Sequence, residues 1–159
     1  MRPGSEAAAQ AVVNELGVPV KAGPDPLQKR LLMKIADHFQ ELWAPSFGMP
    51  RGRVREFVAD AAYVDEREIV QYLLAGHDLF SVMGSSEDVL GSGETIMGGD
   101  SIYSDGEWVW RGDLWFYVRN HHVCLPNEFL ERIRSFGYTM PAEGLSSLME
   151  IAKEIRPRL

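Results

Sequence analysis

Apolar residues recur at helical spacing over much of this chain, and the widest such stripe lies in residues 27–44. Leu27, Leu31, Ile35, Phe39 and Leu42 fall on one face, and Leu32, Ala36 and Trp43 broaden it. The spacing predicts a central core helix, with Asp25 as cap, Pro26 at the first helical position and Pro45 as the stop. An earlier helix is expected over 5–16, where Ser5 can cap, alanines favour helix and Gly17 ends the run. Three prolines between Val18 and Pro26 predict a linker or extended arm, whose first part can pack as an edge strand.

Residues 46–55 read as a loop, and 56–63 fit a short helix slightly better than a strand. Asp65 and Glu68 have capping-box spacing ahead of Ile69, Val70, Leu73 and Leu74, with Gly76 at the end. His77 to Met83 alternates loosely and predicts a strand. Ser85 or Ser86 can cap a short turn through Leu90, and the four glycines of 91–99 predict a mobile loop. Asp105-Gly106 sits between two β-rich runs, a hairpin signal because the tight turn needs positive φ. Helices are then expected from Asp113, from Pro126 through Phe136 with Gly137 closing, and from Leu145 to Ile155. The reading is α+β: several helices around a small antiparallel sheet containing a hairpin at 101–110. A length of 159 residues fits one domain, 1–159, with the helix and proline-rich arm of 1–26 peripheral to it.

Charge changes the picture more than composition does. Hydrophobic residues make up 45%, the globular average, so wholesale disorder is excluded. Residues 68–110, 43 positions, contain no Lys or Arg but eight acids: Glu68, Asp78, Glu87, Asp88, Glu94, Asp100, Asp105 and Glu107. The formal charge is -7, so the rest of the chain sums to about +1. If these acids share a surface, it repels nucleic acid and anionic lipid and attracts a basic partner. No apolar run approaches the ~18 residues of a membrane span, and residues 1–6 lack a signal-like apolar core, so a cytoplasmic protein is expected.

Chemistry is harder to find. Cys124 is the single cysteine, so it forms no intrachain disulfide or cysteine cluster. His121 and His122 adjoin it, yet adjacent helical residues point ~100° apart and no hydrolase signature surrounds the thiol. A small hydrolase or transferase using Cys124 or a His/carboxylate pair is the alternative function; a small buried thiol is the plainer reading. The glycines of 91–99 lack a Gly-Lys-Ser/Thr ending and are flanked by acids, which argues against a phosphate cradle. The acids are too few and wrongly spaced for a calcium loop, so no metal and no cofactor is expected. Arg51, Arg53 and Arg55 form a basic cluster, best read as solvated or paired with the acidic third. Trp108, Trp110 and Trp115 fill a hairpin–helix corner or, where exposed, anchor a partner.

The run Ser101-Ile102-Tyr103-Ser104-Asp105-Gly106-Glu107-Trp108-Val109-Trp110, followed by Asp113-Leu114, Tyr117-Val118, His122-Val123, Leu125-Pro126 and Phe129, resembles a block in small bacterial proteins of unassigned function. Some of these are similar to immunity proteins of polymorphic-toxin and contact-dependent inhibition systems. The likeness spans roughly 101–140, and it carries structure rather than catalytic residues. It implies a non-enzymatic binding protein that neutralises a cognate, basic toxin. The residues expected to bind are Glu87, Asp88, Glu94, Asp100, Asp105 and Glu107, with Trp108 as the aromatic anchor if it is exposed. No nucleic-acid or membrane partner is expected, and the oligomeric state is left open.

Overall fold

The computed structural model describes residues 12–13, 19–20, 34–142 and 144–159. The chain divides into two compact units, Met1–Arg30 and Leu31–Leu159. In the first, β1 (Val12–Val13) pairs antiparallel with β2 (Pro19–Val20). The helix expected over 5–16 therefore fails at Val12 and Val13, two β-branched residues that take strand pairing instead. Its other residues, and 27–33 of the expected core helix, lie outside the described part.

The second unit is α+β. A four-stranded sheet runs in the order β3–β8–β7–β4, with β3 at Lys34–Ile35, β4 at His77–Phe80, β7 at Ile102–Ser104 and β8 at Trp108–Arg111. The sheet is mixed rather than antiparallel throughout, because β3 runs parallel to β8. The β7–β8 pair is the expected hairpin, turning at Asp105-Gly106 with Gly106 at φ 98°. Trp108 and Trp110 enter one core cluster and Val109 the other, so strand alternation buries both faces of β8. Among the described residues four helices pack around it: α1 (Glu66–Leu74), α2 (Leu114–His121), α3 (Asn127–Ser135) and α4 (Leu145–Ile155).

The helix expected through 34–44 is not formed. Ile35, Ala36, Phe39, Leu42 and Trp43 are all buried as the stripe requires, but on a strand followed by turns. The backbone finds partners elsewhere. Lys34 N–H donates to Glu107 O and Ala36 N–H to Val109 O, while Gln40 N–H donates to Gly52 O. Pro45 opens a 3-10 turn, Pro45–Phe47, rather than ending a helix, and a second such turn, Val54–Phe57, replaces the helix expected at 56–63. Between Ser85 and Met97 the expected turn and glycine loop are a two-stranded ribbon, β5 (Ser85–Glu87) with β6 (Thr95–Met97).

Candidate functional site

The ribbon is built so that one face is held and the other is free. Its register sets Ser85 opposite Met97, Ser86 opposite Ile96 and Glu87 opposite Thr95. With side chains alternating, Ile96 is buried and Ser86 Oγ donates to Asp113 Oδ2 at 3.1 Å, while Ser85, Glu87, Thr95 and Met97 face outward. Met97 is 82% exposed and nearby Met83 99%; Val82 and Val89 are also exposed. An isolated two-stranded ribbon is marginal in water, so its anchors matter.

Asp88 supplies the first anchor. Its carboxylate is buried and accepts from the backbone N–H groups of Leu90 (2.8 Å) and Ser92 (3.3 Å), with His121 Nε2 at 2.8 Å. Burial pushes the Asp88 carboxyl up, but hydrogen bonding to Ser92, Leu90 and His121 outweighs that and holds it below the usual range. Val89 N–H donates to Tyr117 Oη at 2.9 Å, which ties the same loop to α2 a second time. Gly91 and Gly93, both at φ 87°, close the loop in a conformation that favours glycine.

At the ribbon's root lies a charge cluster centred on Arg111. Arg111 donates from Nε to Asp113 Oδ1 (3.1 Å), from Nη2 to Asp113 Oδ2 (2.8 Å) and Asp100 Oδ1 (2.7 Å), and from Nη1 to Leu42 O (3.1 Å). Asp37 completes it: its buried carboxylate accepts from Trp43 Nε1–H at 3.0 Å and from the Arg111 N–H at 3.1 Å. The guanidinium thus pairs with two carboxylates, while Asp37 holds the backbone of the same residue. Burial, and then the neighbouring Asp113, push Asp37 up to about 7, against the lowering effect of its two donors.

The sequence-derived residues divide between two places. Glu87 and Glu94 are exposed on the ribbon and its loop, Asp88 is the internal anchor, and Asp100 is half exposed at the root. Asp105, Glu107 and Trp108 lie at the turn end of the β7–β8 hairpin, whereas Arg111 pairs with Ile102 at its open end. Asp105 is fully buried and accepts from Tyr72 Oη (2.6 Å), Arg132 Nε (2.9 Å) and the N–H groups of Glu107 and Trp108. Glu107 is held by Arg132 and Lys34. Trp108 is 5% exposed and packs on Phe129 with ring centroids 5.0 Å apart, so it is a core residue and not an exposed anchor. Among the described residues no Lys, Arg or His lies within ion-pair distance of Glu68, Asp78, Glu87 or Glu94.

Sequence reasoning missed Asp37, Arg111 and Asp113 as one unit. A signal existed: Arg111 is the first cation after 43 residues without one. Asp65, expected to cap α1, and Asp113, expected to open α2, make no side-chain cap and turn elsewhere. Asp65 takes Arg134 (2.8 and 3.0 Å) and Tyr138 Oη (2.6 Å), partners that hold its carboxyl down at about 2.

Among the described residues no histidine is hydrogen-bonded to Cys124. The four histidines take separate partners: His121 with Asp88, His122 with Glu66 (2.8 Å), His77 with Pro141 O (2.8 Å) and His38 with the Gly48 backbone. Cys124 lies near Tyr63, whose hydroxyl accepts from Leu125 N–H, and near the Arg51 guanidinium. Neither Cys124 nor His122 lines the cavity beside Arg111 and Asp100. Among the described residues no group of three or more His, Cys, Asp or Glu is placed to hold a metal ion, and no helix is long and apolar enough to cross a membrane. No protein-family model, curated protein or solved structure matches the chain.

Proposed function

We propose that this is a non-enzymatic binding protein that engages a basic protein partner through the outer face of the β5–β6 ribbon. The single observation carrying this reading is the ribbon's construction. Met83 and Met97 stand in solvent beside Glu87 and Glu94, while Asp88, Ser86 and Ile96 pin the other side to the body. Exposed methionines favour adaptable apolar contact, and a pre-ordered loop loses little entropy on docking. Uncompensated carboxylates around them favour a cationic partner and speed its approach. The resemblance expected for residues 101–140 would make this partner a toxin, which the chain would neutralise by occlusion.

Incorporating a photo-crosslinker at Met83 or Met97 tests this. The captured protein should be basic, and its association rate should fall several-fold between 50 and 300 mM salt, as screening shortens the attraction. Glu87→Lys with Glu94→Lys should slow association about 10-fold, a typical electrostatic-steering effect. A partner that binds both charge-reversed variants as fast as the parent, with no salt dependence, would overturn the reading.

A further inference from the structure

The apolar cavity at the ribbon's root has the form of a socket for one basic side chain. Its volume is about 220 Å³, and it is walled by Leu42, Trp43, Phe47 and Ile102, with Asp100 and Arg111 at its polar end. A volume below the roughly 300–1,000 Å³ of small-molecule sites suits a single side chain. Trp43 and Phe47 meet edge to face, with centroids 4.9 Å apart, giving a fixed aromatic wall.

Charge decides what the socket accepts. Asp100 pairs with Arg111 through Oδ1, but its side chain is 50% exposed and that of Arg111 only 15%, so the group nearer a visitor is the carboxylate. The guanidinium is already engaged by Asp113, Asp100 and Leu42 O. Behind it lies Asp113, paired with the same guanidinium, so two carboxylates meet one cation and the polar end is acid-rich. An acidic visitor meets this excess directly. A neutral one forfeits it. A lysine side chain fits both parts, with four methylenes against the apolar wall and an ammonium at Asp100.

We propose that this cavity receives a lysine side chain of the basic partner and so acts as an anchor beside the ribbon. This rests on the partner class proposed above, but its test needs no partner. Nuclear magnetic resonance titration with n-butylammonium, the lysine side chain alone, should give saturable shifts at the Trp43 indole N–H and the Ile102 methyls, with millimolar affinity. The neutral isostere 1-butanol should bind at least 10-fold more weakly. Asp100→Asn should lower the n-butylammonium affinity at least 10-fold, and Asp100→Glu should recover most of it.

Absence of saturable shifts in the parent protein, or equal binding of 1-butanol, would overturn the socket. Both results come from the unmodified chain and do not depend on how a variant folds. Either would leave the ribbon reading standing, since that is tested by crosslinking and by Glu87 and Glu94. Conversely, amine binding in the cavity together with unchanged association of the ribbon variants would remove the ribbon reading alone.

Discussion

Arg132 reaches from α3 to place its Nε 2.9 Å from the buried carboxylate of Asp105, in the turn of the β7–β8 hairpin. The same guanidinium donates to Asp105 O and Glu107 Oε1, so one side chain closes the whole turn. Removing it takes the counter-charge from a carboxylate that water does not reach, leaving Tyr72 and two backbone amides as donors. We expect Arg132→Met to cost about 3–5 kcal/mol, the range for breaking one side of a buried pair. Arg132→Lys should recover only part of this, because an ammonium lacks the planar fork. Denaturant midpoints at neutral pH measure both. A cost under about 1 kcal/mol would place the pair with ordinary surface bridges.

How far the sequence spoke depends on the range of the determining contacts. The hairpin and the helices α1 to α4 were legible because local rules place them: Asp-Gly for the turn, Gly137 at φ 61° after α3, and apolar spacing for the buried faces. Residues 34–44 were legible as core and illegible as backbone. Ile35, Phe39 and Leu42 are inward, but β8 offers the Lys34 and Ala36 amides strand partners nearly 75 positions away in sequence. The ribbon was hidden for a related reason. Ser86 and Ile96 face inward only because α2 and Asp113 are there to receive them, and glycines at both ends resemble a loop. The acidic segment was visible as charge but not as a surface, since Arg111, Arg132, Lys34 and His121 reach it from outside its limits.

Asp37 gives stability an unusual pH dependence. Its folded value, about 7, lies above the ordinary 3.8, so the folded state holds this proton more tightly than the unfolded one. Stability from Asp37 is therefore complete below about pH 4 and is lost as pH rises through 7. The loss across that window amounts to as much as about 4 kcal/mol. His38, lowered by burial, acts in the opposite sense as pH falls below its ordinary 6.5, and Asp65, held at about 2, acts only in stronger acid. The Asp37→Asn variant isolates the effect. Its unfolding free energy should change less between pH 5 and pH 8 than that of the parent, measured by urea titration at both pH values. Parallel slopes would show that Asp37 is ionised throughout.

Tryptophan and methionine should separate core from docking face. Trp108 lies between Phe129 and the Lys34 ammonium, which sits 5.4 Å from its ring centroid. Trp108→Ala should cost about 3–5 kcal/mol, as for other large-to-small core changes. Met83→Ser and Met97→Ser should stay within about 0.5 kcal/mol of the parent, because those side chains leave no cavity when shortened. Thermal unfolding of the three variants checks the contrast. Destabilisation by Met97→Ser comparable to that of Trp108→Ala would mean that the ribbon's outer face is packed in solution.

Asp88 tests whether the loop's order serves binding. Its carboxylate gathers the Leu90 and Ser92 amides and faces His121, joining loop 88–94 to α2. Asp88→Ala should cost about 1–3 kcal/mol, the penalty for leaving such donors unsatisfied. The more telling result is local. Hydrogen exchange at Leu90 should accelerate at least 10-fold, while the Ser104 amide within the hairpin keeps its protection relative to global unfolding. Glu87 and Glu94 remain on the surface in this variant, so the charge that draws a basic partner is nearly unchanged. A slower association or faster dissociation of that partner would then report lost pre-ordering rather than lost attraction. If Leu90 exchange accelerates with no change in partner binding, the ribbon docks without needing a rigid loop, and the role of Asp88 is confined to stability.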